Sequence, residues 1–218
     1  AIATLLEWSG ATVVREFYVN DAGVQIDRLA ESLWARIQQH VGRNVAIPEG
    51  GYHGDYLKEA AAALVAERGA ALADLPRDEG IPLCRRLGVA MQRTEQDETL
   101  ATFGVRFDTI TSEEKLYADG AVERGLSRLI EADLTYEDGG ALWLATSRFG
   151  DEKDRVLRKQ DGSFTYFVPD IAYHLDKFNR GFTTAIDVWG ADHHGYIPRV
   201  RGALVALGIP ENWFEVAI

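Results

Sequence analysis

The sequence predicts an α/β fold in which a parallel sheet is interrupted by a mainly helical insertion and a small antiparallel β meander. Strand-like and helix-like segments alternate near both ends of the chain, which is the pattern of a parallel α/β unit. The stretch from Tyr56 to about Leu134 is rich in alanine and charged residues at helical spacing. From Tyr136 the composition shifts to short apolar runs separated by turn residues.

In chain order, AIATLLEWSG carries apolar residues at Ile2, Leu5 and Leu6 and ends at Gly10, as a helix commonly does. ATVVREFYV (11–19) is β-branched and aromatic and predicts a strand. NDAG then breaks it and offers Asn20 or Asp21 as a helix cap. Ile26, Leu29, Ala30, Leu33, Trp34, Ile37 and Val41 recur every three or four residues, one apolar stripe that runs to Gly42. The helical stretch that follows is expected to break at LPRDEGIP (75–82) and FGVRFDTIT (103–111). ALWLATS, DRVLRK and SFTYFV predict the strands of the meander, with the Asp-Gly of QDGS as a tight turn. IAYHLDKF returns to helical spacing, TTAIDVWG is an apolar strand, and YIPRVRGALVAL is a helix closed by Gly208 and Pro210. WFEVAI is the beginning of a further strand. Both ends fall inside apparent elements, so an internal fragment of a longer protein is expected.

Composition narrows the function. The hydrophobic fraction of 46% and charged fraction of 26% are those of a globular protein. No apolar run reaches the roughly 18 to 20 residues that cross a bilayer, and no signal peptide is visible, so a cytoplasmic protein is expected. A single cysteine, Cys84, excludes an internal disulfide framework. The net charge of −11 repels polyanions over most of the surface, whereas a cationic substrate is easily accommodated.

Two constellations carry chemistry. GADHHG follows an apolar strand and precedes a helix, where open parallel sheets bind ligands. Gly190 would admit a ligand to the backbone, Asp192 could accept bonds from sugar hydroxyls or a cation, and the following helix N-terminus favours phosphate. The competing reading makes Asp192 a helix cap. His193 and His194 would point in different directions, so a shared metal ion is not expected. In TYFVPDIAYH, a chain turning helical near Pro169 would bring Tyr166 and Asp170 to one face. A carboxylate beside an aromatic ring suits a guanidinium; the competing reading makes Asp170 a cap and Tyr166 core. Among weaker signals, GDEKDRVL reads as a solvated turn, and Arg85, Arg86, Arg93, Arg199 and Arg201 could touch phosphates.

Taken in order, REFYVNDAGVQ, GYHGDYL, GALWL, FGDEKDRVL, TYFVPDIAYH and VWGADHHGYIPR resemble the catalytic domain of bacterial-type arginyl-tRNA synthetases, over essentially the whole chain. The resemblance implies a class I Rossmann-like catalytic domain in two parts, residues 1–50 and 166–218. Between them it implies a connective insertion, residues 51–165, helical over 51–135 and a β meander over 136–165. The intact enzyme would activate L-arginine with ATP and Mg²⁺ as substrate, hold no tightly bound cofactor, act as a monomer, and transfer arginine to tRNA(Arg). Asp170 would pair with the arginine guanidinium and Tyr166 would line that pocket. Gly190 and Asp192 would fall at the adenylate ribose or the amino acid, with His193 and His194 in the same pocket. Asn20, Asp21, Gly23 and Gln25 match a family motif without an assigned role. The His-Ile-Gly-His-type and Lys-Met-Ser-Lys-Ser-type signatures do not occur in this sequence, so the chain alone is expected to bind weakly and not to catalyse. Two alternatives are a non-catalytic module of the same fold and a manganese-dependent phosphoesterase of the Asp-His-His type; the latter would have only His40, His53 and His174 besides the two neighbouring histidines.

Overall fold

Apolar residues at helical spacing and short β-branched runs organise the chain into two compact units, Ala1–Ser112 and Glu113–Ile218. The structure is a computed structural model and describes residues 1–218.

In the first unit, helix α1 (Ile2–Trp8) precedes strand β1 (Glu16–Val19), which is shorter than the sequence predicts. β1 pairs in parallel with β2 (Thr109–Ser112), in the register Glu16↔Thr109 to Val19↔Ser112. The segment expected only as a break therefore carries a strand, and its β-branched Thr109, Ile110 and Thr111 are the local reason. Helix α2 (Val24–His40) buries the predicted stripe against α3 (Asp55–Arg68) and α4 (Arg77–Thr102). Its cap position is Gly23, at φ +84°, and no side chain caps it, so neither Asn20 nor Asp21 plays the expected part. The other expected break, 75–82, is narrower than the sequence suggests. α4 begins at Arg77 and contains Pro82, while its flanking Ile81, Leu83 and Leu87 pack on the core. Burial of these side chains offsets the one backbone bond that proline forgoes. Gly80 sits where an added Cβ would lie 2.5 Å from the Trp34 ring, so α2 and α4 meet only because this position has no side chain.

In the second unit, α5 (Glu113–Ala118) and α6 (Ala121–Glu131) lead into the meander β3 (Thr135–Asp138), β4 (Ala141–Leu144) and β5 (Arg155–Arg158), all antiparallel. The meander has an unforeseen first strand, TYED, turned by Gly139 and Gly140 at φ +58° and +76°. Those values are what a two-residue hairpin of type I′ needs. SFTYFV is not a strand. After a single bridge from Arg158 to Phe164 the chain enters α7 (Phe167–Asn179), because the apolar spacing of Phe167, Val168, Ile171, Ala172 and Leu175 buries one helix face. α6 packs on α7 with Gly125 against Ala172. Then β6 (Ala185–Val188), α8 (Ile197–Ala206) and β7 (Phe214–Ala217) form the predicted crossover, with β6 and β7 parallel in the register Ala185↔Phe214. α8 ends as expected, with Gly208 at φ +81° and the Ile209 amide returning to the Leu204 carbonyl.

GDEKDRVL differs from the solvated turn that its charges suggest. Asp151 is buried, and its carboxylate takes Arg155 through Nε at 2.7 Å and Nη2 at 2.6 Å. No helix is long and apolar enough to cross a membrane.

Candidate functional site

Asp170 stands in the first turn of α7, where the exposed N–H ends of the helix favour a carboxylate. The Tyr196 hydroxyl, delivered from the far side of the loop after β6, donates to Asp170 Oδ2 at 2.6 Å. The Tyr196 ring lies among Tyr166 at 5.7 Å, Trp189 at 5.8 Å and the edge of Phe167 at 6.1 Å. Arg199 places its guanidinium 4.8 Å from the centre of the Tyr196 ring and donates to Tyr166 Oη at 3.2 Å. Burial raises the Asp170 carboxyl above its ordinary value, against the opposing bond from Tyr196 and the charge of His174. Burial, followed by the negative charge of Asp170, also pushes the Tyr196 phenol up, so Tyr196 stays a proton donor at this contact.

One helical turn further along α7, the His174 ring is buried between helix and sheet. Its Nδ1 faces the Asp170 carbonyl at 2.7 Å and its Nε2 faces Asp187 Oδ2 at 2.9 Å. Lys177 Nζ donates to Asp187 Oδ1 at 3.0 Å and lies 4.0 Å from the centre of the Tyr173 ring. Burial would raise Asp187, but the bonds and charges of His174 and Lys177 outweigh it and hold the carboxyl well below the usual carboxylate range.

The motif residues downstream of β6 lie differently. Ala191–Tyr196 forms a short 3₁₀ turn whose cap position is Gly190, and Asp192, His193 and His194 are all exposed. Asp192 caps neither this turn nor α8, so the competing reading of a helix cap does not hold. Instead Asp192 Oδ1 faces His193 Nδ1 at 3.1 Å. A Cβ built on Gly190 would lie 2.5 Å from Asp192 Oδ1, so in this conformation the bare backbone makes room for that carboxylate. No group of three or more His, Cys, Asp or Glu side chains gathers in metal-binding geometry. Tyr166, which the competing reading made core, is 67% exposed.

In the first unit, Gln25 Oε1 accepts from Tyr52 Oη at 2.8 Å, and the Asp21 carbonyl accepts from Arg85 Nη2 at 3.2 Å. Asn20 is exposed just after β1, and Gly23 holds the cap position before α2. The loop GYHGDYL is tied back to α2 by Ser32, which accepts the Tyr52 amide at 2.9 Å, and by Arg36, which donates to the His53 carbonyl at 2.8 Å.

The profile of the family "tRNA synthetases class I (R), catalytic domain" matches residues 1–200. The chain belongs to this family of class I arginine tRNA synthetases. It is 50% identical to an arginine–tRNA ligase of Ralstonia nicotianae over 98% of the chain and 37% of that protein. It is 48% identical to one of Shouchella clausii over 100% of the chain and 39% of that protein. A crystal structure of a Campylobacter jejuni protein assigned as an arginyl-tRNA synthetase superposes with a TM-score of 0.88 at 36% identity, over 98% of this chain and 47% of that one. The chain thus spans less than half the length of these relatives. The mixed architecture of parallel pairs and an antiparallel meander is that of the class I synthetase catalytic domain.

Four residues around Asp170 escaped the sequence reading. Tyr196 stood inside the quoted motif without a role, Arg199 was only a possible phosphate contact, and His174 and Lys177 drew no assignment. A signal existed for two of them, since residues 170, 174 and 177 fall on one helical face. Another lay in Asp187, an acid within an otherwise apolar strand.

Proposed function

We propose that this chain is part of an arginine–tRNA ligase that activates L-arginine with Mg-ATP and transfers it to tRNA(Arg), and that the second unit supplies the guanidinium pocket. The observation that carries this reading is Asp170, a helix-borne carboxylate held by Tyr196 at 2.6 Å amid aromatic rings. A substrate guanidinium would take Asp170 Oδ1 and share Oδ2, gaining paired charge-assisted hydrogen bonds, with an aromatic face against the planar cation. The internal guanidinium of Arg199 already lies over the Tyr196 ring and donates to Tyr166 Oη, which supports the suitability of these tyrosines for a planar cation. A lysine ammonium has no planar fork and would engage the carboxylate only as a point charge.

In this reading Tyr166 and Asp170 bind arginine, and Asp192 faces its amino acid end or the ribose. Gly190, His193 and His194 line the nucleotide side, while Asn20, Asp21, Gly23 and Gln25 form a motif in the first unit without an assigned step. Residues 1–50 and 166–218 are the catalytic parts, and 51–165 the insertion. Attack of the arginine carboxylate on the α-phosphate of ATP needs alignment and stabilised phosphoryl charge more than proton transfer. This chain's own contribution is to fix the amino acid; ATP with Mg²⁺ enters as substrate, and no tightly bound cofactor takes part. The whole protein works as a cytoplasmic monomer, and the 218-residue chain alone binds weakly and does not turn over. Membership of the synthetase family displaces the Asp-His-His phosphoesterase alternative.

The test is a thermal-shift titration with L-arginine, L-lysine and ATP on the wild-type chain and on Asp170→Asn. Ligand at 100 times its dissociation constant stabilises a fold by about 2.7 kcal/mol, well within reach of the method. Arginine is expected to raise the melting temperature, lysine not, and Asp170→Asn to weaken arginine about tenfold or more, as for a lost charge-assisted bond of about 1.5–3 kcal/mol. Because Asp170 sits above its ordinary value, arginine affinity is expected to fall on acidification already above the usual carboxylate midpoint of about 4. Equal shifts by lysine and arginine would refute the guanidinium pocket.

A further inference from the structure

His174 has no part in the contacts proposed above for arginine, yet it is buried and both of its ring nitrogens face oxygen atoms. The Asp170 carbonyl can only accept, so Nδ1 must carry a proton. Asp187 accepts Lys177 at one oxygen and faces His174 Nε2 with the other. A carboxylate beside a lysine ammonium is ionised, so it too accepts and Nε2 must carry the second proton. The groups facing the ring are the Asp170 carbonyl and the Tyr173 phenol ring on its own helix, the latter at 5.4 Å, Asp187 from β6 and the Phe214 ring from β7 at 5.0 Å; Lys177 reaches it through Asp187.

We propose that His174 is an imidazolium positioning residue, which clamps the Asp170 peptide at the start of α7 to Asp187 on β6 and so sets the guanidinium pocket for arginine. This rests on the reading of Asp170 given above. The clamp matters because Asp170 and its partner Tyr196 come from opposite sides of the crossover: Asp170 from α7, Tyr196 from the turn that follows β6. A shift of α7 along β6 would lengthen the 2.6 Å bond between them. The cation also acts on Asp170 through space, favouring its ionised form against burial. Lys177 completes the device by holding the second oxygen of Asp187, so that the carboxylate cannot rotate away from the ring.

The experiment is carried out on the 218-residue chain with ¹⁵N-labelled histidine and ¹³C-labelled aspartate. Ring nitrogen shifts of His174 at pH 7 are expected to show both nitrogens protonated, and a neutral tautomer would overturn the proposal. In His174→Gln the Asp170 carboxyl is expected to titrate at higher pH than in wild type, because the neighbouring positive charge is gone. An unchanged Asp170 midpoint in a folded variant would also overturn it. If His174→Gln does not fold, the wild-type ring spectrum still decides. An arginine titration runs in parallel, with at least tenfold weaker binding expected in His174→Gln. Absence of arginine binding to the wild type would refute the pocket, whereas the ring protonation and the Asp170 midpoint are read without ligand and judge the clamp by themselves.

Discussion

The helical core of the first unit and the α7–β6 region of the second are built from opposite materials. The buried cluster formed by α2, α3, α4 and the turn at residues 70–74 includes Leu29, Leu33, Ile37, Leu57, Leu64 and Leu72, and its one buried titratable group is the Cys84 thiol. Between α7 and β6 lie His174, Lys177 and Asp187, with Asp170 and Tyr196 next to them. An apolar core gains stability from every methylene it removes from water and tolerates no unpaired charge. A buried ionic cluster gains little net stability, because desolvation offsets much of the attraction, but its hydrogen bonds fix side chains in place. The contrast separates a scaffold from the candidate site: charge is taken out of water where hydrogen bonds fix position.

Three substitutions or reactions would break or sharpen that contrast. The largest effect is expected from Asp187→Asn, which strips the carboxylate from Lys177 and His174 and is expected to cost about 3–5 kcal/mol in urea unfolding at pH 7. Asp187 has a depressed folded value, so its contribution is present above the ordinary carboxylate midpoint of about 4 and is lost as pH falls through the depressed one. The gap between wild type and variant is therefore expected to narrow on strong acidification. A loss below about 1 kcal/mol at pH 7 would mean that the cluster is more solvated than its burial implies.

Next comes Leu33→Ala in the apolar core, where the fully buried side chain leaves a cavity costing about 2–5 kcal/mol. This loss is expected to be the same at pH 5 and pH 8, since Leu33 lies within an apolar buried cluster, and a pH-dependent loss would undo the distinction between the two regions. The smallest effect concerns Cys84, whose thiol burial pushes up to about 12. Iodoacetamide at pH 8 is expected to leave it unmodified in the folded chain and to label it only as urea opens the core, as mass spectrometry would show. Rapid labelling without urea would show that the core of the first unit opens locally.

Legibility in the sequence followed the same division. The α2 stripe from Ile26 to Ile37 could be read directly, because an apolar face repeats at helical period and nothing else competes for it. The crossover of β6, α8 and β7 was equally plain, from its apolar strands and the Gly208 stop. The meander was misread by one strand, since TYED is polar and the apolar SFTYFV competes for the same role. The helix won because Phe167, Val168 and Ile171 bury together on α7. Around Asp170, the sequence offered Tyr166 and Asp170 at helical spacing, and in the structure both lie against Tyr196. Their connection was not, because it passes through Tyr196, 26 residues beyond Asp170 in the chain.

What the sequence by itself determined is the alternation of elements, the apolar faces and the six motifs that carry the family, since each depends on residues close together along the chain. Tertiary structure alone decided that Asp170 meets Tyr196 and that His174 meets Asp187. It also decided that Asp151 is buried while Asp192 is exposed. Charge and protonation depend on what folding brings within hydrogen-bond reach and on how much water it removes, and neither quantity is local to the chain.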